Sequence, residues 1–286
     1  MLAESEVTLA SPGWRLRARQ LTAIVRIELR QRLTGLRILP ALLLALAPVG
    51  LLMLAGILIR INLAPGDTPS VAEAVKVFAE VYHTLVLRFC VFFGCAAIFL
   101  MLFRGDVMSR SLHYWFMSPV RREVLVLAKF LAGLATAGLL FTGTTVLGWL
   151  AIYIPAGFDQ LGPHMLHGPG LRLLATYVGI TWLACLGYGA VFLAVGQLFR
   201  NPILPTAFVL AWEGIHPFLP PLLKKLSVTH YLGSLGPVPV EVPLISLVAE
   251  PAPVPVAVGG LLLFSLAVLG LAAWRIRRME IDYGSD

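Results

Sequence analysis

The stretch that decides the fold is Ile38–Ile59, ILPALLLALAPVGLLMLAGILI, which holds no charged residue. A bilayer hydrocarbon core is ~30 Å thick and takes about 20 apolar residues of helix to cross. This run is long enough, and the basic segment before it marks a retained span rather than a cleaved signal. Working outward, five more apolar runs lie between charges and Pro/Gly clusters. They are His83–Phe103, with an amphipathic extension upstream to Val71, then Val124–Ile154, Leu171–Phe199, Ile203–Leu219 and Val254–Trp274. The run from Ile203 is short and interrupted by Pro205 and Pro217. It reads as a broken or re-entrant helix, which is tolerated at membrane depth only against protein.

Composition points the same way. Of 286 residues, 58% are hydrophobic and 13% charged, against roughly 25% charged in an ordinary soluble domain. So few charges cannot wet a globule of this size, which excludes a soluble or disordered chain. Fifteen of the Lys and Arg residues fall on one side of the six runs and five on the other. The positive-inside rule then puts both termini in the cytoplasm and explains the net charge of +7 without nucleic acid. The expected fold is all-α and polytopic, with six transmembrane helices behind an amphipathic interfacial helix. Residues 1–37 form the cytoplasmic tail and that helix, and 38–286 the transmembrane domain. The three cysteines, Cys90, Cys95 and Cys185, sit in apolar runs without the spacing of a disulfide framework or zinc site.

Ahead of the first run, Leu21, Val25, Leu29 and Leu33 repeat every four residues, with Arg19, Arg26 and Arg30 opposite. This is the pattern of a helix lying on membrane lipid, or of a basic flank that happens to be helical. Glu28 and Arg32 interrupt the apolar side.

Between the second and third runs lies RGDVMSRSLHYWFMSPVRREVLVLAK, Arg104–Lys129. Leu112, Tyr114, Trp115, Phe116 and Met117 make an apolar patch flanked by Asp106, Arg110, Arg121 and Arg122. Ser118-Pro119 ends one helical stretch and a new one starts near Val120. A charged rim around aromatic residues fits a docking surface, and it fits a loop in the headgroup layer equally well.

Asp106, Ser111-Leu112, Tyr114-Trp115-Phe116, Pro119-Val120, Arg122 and Lys129 together resemble the loop after the second span of permeases of ABC-2-type transporters. The family pattern is roughly E-x(4)-T-L-x-x-L-L-x-x-P-V-x-R. Asp106 stands where glutamate is usual, and Arg110 where glycine is usual. Leu226–Leu232, LSVTHYL, resembles a stretch after the family's fifth span. The resemblance implies an exporter subunit in a bacterial cytoplasmic membrane. It makes 106–122 a coupling helix seated on a separate cytoplasmic ABC ATPase, which binds ATP and Mg. It makes 220–253 an extracytoplasmic segment, and implies a second permease copy or a related permease as partner. Ser118 and Arg121 belong to the same coupling loop. The chain itself carries no G-x-x-x-x-G-K-[ST] loop, so no cofactor is expected on it.

Two charges fall inside apolar runs, Arg88 and Glu213. Such charges are costly and face a cavity or a partner. Glu213 can line a pathway or pair with Arg88, and Arg88 can also snorkel outward. His164 and His167 are three apart but have no clustered Cys or carboxylate beside them, so no metal is expected. The alternative function is a non-transport membrane anchor of a redox or quinone-linked complex. An intramembrane enzyme is disfavoured, because no H-E-x-x-H or G-x-S-x-G occurs.

Overall fold

A computed structural model describes residues 13–33, 39–62, 68–108, 121–199, 201–238 and 252–278. Among them every regular element is a helix. In chain order they are α1 (Trp14–Leu33), α2 (Leu39–Asn62), α3 (Val71–Val81), a π-helical stretch (Tyr82–Val91) and α4 (Phe92–Met108). Then follow α5 (Arg122–Ala151), α6 (Tyr153–Ala156), α7 (Gly170–Gly196), α8 (Ile203–Ile215), α9 (Pro221–Lys224), α10 (Val228–Leu232) and α11 (Val254–Arg277).

Among the described residues five helices are long and apolar enough to cross a bilayer: Leu39–Asn62, Val71–Leu102, Arg122–Ala156, Gly170–Gly196 and Val254–Arg277. The upstream extension to Val71 is continuous helix. It starts at a capping box in which Ser70 and Glu73 satisfy each other's backbone N–H groups. The run expected over Ile203–Leu219 forms only the 13 residues of α8, ~20 Å of helix. A single turn of 3₁₀ helix follows at His216–Phe218.

The core is held by aromatic rings seated on glycines. A Cβ at Gly189 would lie 2.5 Å from the Phe99 ring, and one at Gly133 2.8 Å from the same ring. Likewise Gly94 receives Phe141 and Gly138 receives Trp182. Small residues let helix backbones approach closely where lipid offers no hydrophobic drive between helices. The small-residue face of α5 works this way. Gly148 packs on Leu52 and Phe78, and the Thr144 hydroxyl donates to the carbonyl of Ala45 in α2 at 3.0 Å. Away from the basic termini, Phe78, Tyr82, Trp149 and Tyr177 stack edge to face. The Tyr82 hydroxyl is satisfied by the Tyr177 carbonyl and Thr181, both at 2.8 Å.

The outward faces of α2 and α11 stay apolar. Leu43, Leu54, Ile61, Leu263, Leu266 and Leu271 are exposed on the isolated chain, as lipid-facing residues are.

Candidate functional site

Two buried carboxylates organise the polar chemistry of the bundle. The first is Glu28, on α1. Leu21, Ile24 and Val25 of that helix pack on Leu125 and Ala128 at the start of α5. This geometry points Glu28 inward, where it pairs with Lys129. Lys129 is fully buried and Glu28 nearly so. The ammonium also donates to the Leu102 carbonyl at 3.1 Å, so one lysine ties α1, α4 and α5 together. Arg19, Arg26 and Arg30 stay on the exposed side. The interruption of the apolar stripe by Glu28 is therefore the contact that fixes the helix.

Glu213 is the second carboxylate, near the end of α8 and 8% exposed. It accepts from the Ser227 hydroxyl at 2.5 Å, the Val228 N–H at 3.0 Å and the Thr229 N–H at 3.2 Å. The two N–H groups are unpaired donors that open α10, and the hydroxyl belongs to its N-cap residue. Val228 and Leu261 fill the notch at Gly187, each 2.9 Å from where its Cβ would be. Tyr231 packs on Gly260. The short helix α10 thus lies against the middle of α7 and the first half of α11. Further on, Gly236 packs on His83 of the π-helical stretch.

Arg88 lies in that same π-helical stretch. It does not form an ion pair with Glu213, and among the described residues no carboxylate pairs with it. Both charges nevertheless act on the Tyr188 hydroxyl, which itself bonds Thr229 at 3.2 Å. Tertiary folding therefore gathers Tyr188, Glu213, Ser227 and Thr229 into one polar patch, with Arg88 within electrostatic reach of it. His216 and His230 adjoin it, with ring centroids 5.8 Å apart. Burial, with Lys224 and Lys225 nearby, pushes the His230 imidazole below its ordinary range.

Of the loop expected to couple to an ATPase, Arg110, Leu112, Tyr114, Trp115, Phe116, Ser118 and Pro119 lie outside the described residues. Asp106 falls in the last turn of α4. At the loop's exit Arg121 is exposed and extended, the residue before α5. Arg122 donates to the carbonyls of Ile276 and Arg277, both at 3.2 Å, closing the free end of α11 as basic side chains do. Glu123 adds an ion pair to Arg277.

His164 bonds Tyr153 at 2.6 Å, and His167 is exposed. Among the described residues no three His, Cys, Asp or Glu gather as a metal site. The partners of the two carboxylates were missed in sequence reading. Glu28 and Lys129 are 101 residues apart, and only a charge of each sign on otherwise apolar faces hinted at them.

Helix length and composition over the described residues define a class: a helical protein with several helices fit to cross a membrane. Within that class no known family model matches the chain, and no curated protein matches it.

Proposed function

We propose that the chain is the transmembrane permease subunit of an ATP-driven exporter of the ABC-2 type, working with a separate ATPase and a second permease copy. The observation that carries this reading is the anchoring of the loop exit. Arg122 holds the end of α11, and Lys129, further along the same helix, holds α1 and α4. A push on the loop between Asp106 and Arg122 is thereby delivered to four helices at once. A loop merely resting in headgroups has no need of such ties. The aromatic residues Tyr114, Trp115 and Phe116 supply the surface for a partner, since buried aromatics dominate docking energetics. The motif resemblance around them gives the partner its identity as an ATPase.

The test is copurification of the chain with an ATPase subunit, with ATP hydrolysis measured for the assembly. Replacing Tyr114, Trp115 and Phe116 together by Ala should weaken assembly or uncouple hydrolysis from transport. A triple variant that assembles and transports normally overturns the docking assignment. A haem absorption band in the purified complex would favour the anchor-subunit alternative. Orientation is tested by Asp159→Cys. Asp159 is exposed and the native cysteines are buried. The new thiol should react with an impermeant reagent added from outside.

A further inference from the structure

We propose that Arg88, His216, Lys224 and His230 form a binding site for the anionic group of a ligand, a phosphate or a carboxylate, at the break that ends α8. This goes beyond the permease reading, and its test uses this chain alone.

The argument starts from Glu213. Its oxygens accept from Ser227, Val228 and Thr229, so its charge is met by hydrogen bonds and not by a cation. Arg88 and Lys224 are then left without a carboxylate partner among the described residues. Lys224 is nonetheless 7% exposed and Arg88 only partly exposed. With no acid paired to them, both charges are open to an anion.

His216 supplies the independent sign of a ligand. It is 6% exposed, and its Nε2 has no hydrogen-bond partner. A buried polar atom left unmade costs about 1–3 kcal/mol. Arg88, Lys224 and His230 all lie within electrostatic reach of this imidazole. The ring of His230 lies 5.8 Å from that of His216.

Ligand chemistry follows from these groups. Arg88 and Lys224 outweigh the single charge of Glu213, whose oxygens are already taken up by three donors, so the locus stays net positive and repels a metal ion or an amine. An apolar group would leave the His216 nitrogen and both cations unsatisfied. A phosphate or carboxylate answers all of them, through charge-assisted hydrogen bonds from Arg and Lys and an N–H from His216. The source is either a lipid headgroup entering beside α8 or a soluble anion.

The test uses the full chain purified in neutral detergent. Native mass spectrometry measures retention of phosphatidylglycerol against phosphatidylcholine, and calorimetry measures binding of inorganic phosphate against chloride. Preferential retention of phosphatidylglycerol, lost at least tenfold in an Arg88→Gln/Lys224→Gln variant, is expected if the source is lipid. Phosphate binding lost in the same variant is expected if it is a soluble anion. Should that variant fail to fold, Lys224→Gln with His216→Leu reads the same locus, with size-exclusion behaviour as the check. Neither anion bound above its control, or binding unchanged in a folded variant, overturns the proposal. Either result leaves ATPase copurification untouched, so the permease reading stands or falls separately.

Discussion

Glu28 and Glu213 are both buried carboxylates in a bundle made mostly of apolar helices, and the chain answers them in opposite ways. Glu28 meets a fixed cation, Lys129, which also donates to the Leu102 carbonyl. Glu213 meets three neutral donors at the opening of a short helix. The first arrangement couples two whole helices, because each charge is expensive without the other. The second holds a broken segment in place and leaves the nearby cations uncommitted. One region is thus built as a clasp and the other as a scaffold for a positive locus.

The sharpest way to break the comparison is Lys129→Met. It removes the buried cation beside Glu28, and the expected loss is about 3–5 kcal/mol. Thermal unfolding in detergent would report it, and Glu28→Leu on top of Lys129→Met should recover most of it. A double variant no better than the single would deny that the two residues act as a pair. Next comes Glu213→Leu, which removes the acceptor of two backbone N–H groups and a hydroxyl. A loss of about 2–3 kcal/mol is expected, with proteolytic cleavage appearing within 216–238. Arg88→Gln should not reproduce that cleavage, because Arg88 is not the partner of Glu213. If it does, the scaffold reading fails.

A smaller effect is expected where packing rather than charge is disturbed. Gly189→Ala drives a methyl into the Phe99 ring, at about 1–2 kcal/mol for overpacking, and Phe99→Leu in the same chain should relieve it. Smallest is a pH effect at His164, outside the long helices. Burial lowers its pKa below the ordinary 6.5, so the unfolded chain binds the proton more readily. Its contribution to stability is present above pH 6.5 and is lost as pH falls toward the lowered value. The melting temperature should drop between pH 7.5 and 5 in the parent, and His164→Gln should flatten that slope. An identical slope in both would remove His164 as the cause.

How much was legible follows from how far apart the contributing residues are. The run Ile38–Ile59 and its companions carry their meaning in composition alone, and five appear as long helices. Proline near the end of the Ile203 run announced that it would not stay helical, and the helix stops at Ile215. Arg122 was picked out for its place in a motif, but its work on the carbonyls of Ile276 and Arg277 spans more than 150 residues of sequence. Glu28 read as a flaw in an apolar stripe because periodicity reports which face a residue occupies, not what lies opposite.

The sequence by itself determined the solvent of this protein, since about 20 uncharged residues in a row leave no alternative to lipid or a deep core. It also determined which charges would be anomalous, since any charge within such a run must be compensated. Only the tertiary structure decided the compensation: a lysine for Glu28, a helix opening for Glu213, and no carboxylate for Arg88 among the described residues. The reason is physical. Hydrophobicity is non-directional and sums along the chain, whereas the satisfaction of a buried charge depends on angstrom-scale geometry between segments that only folding brings together.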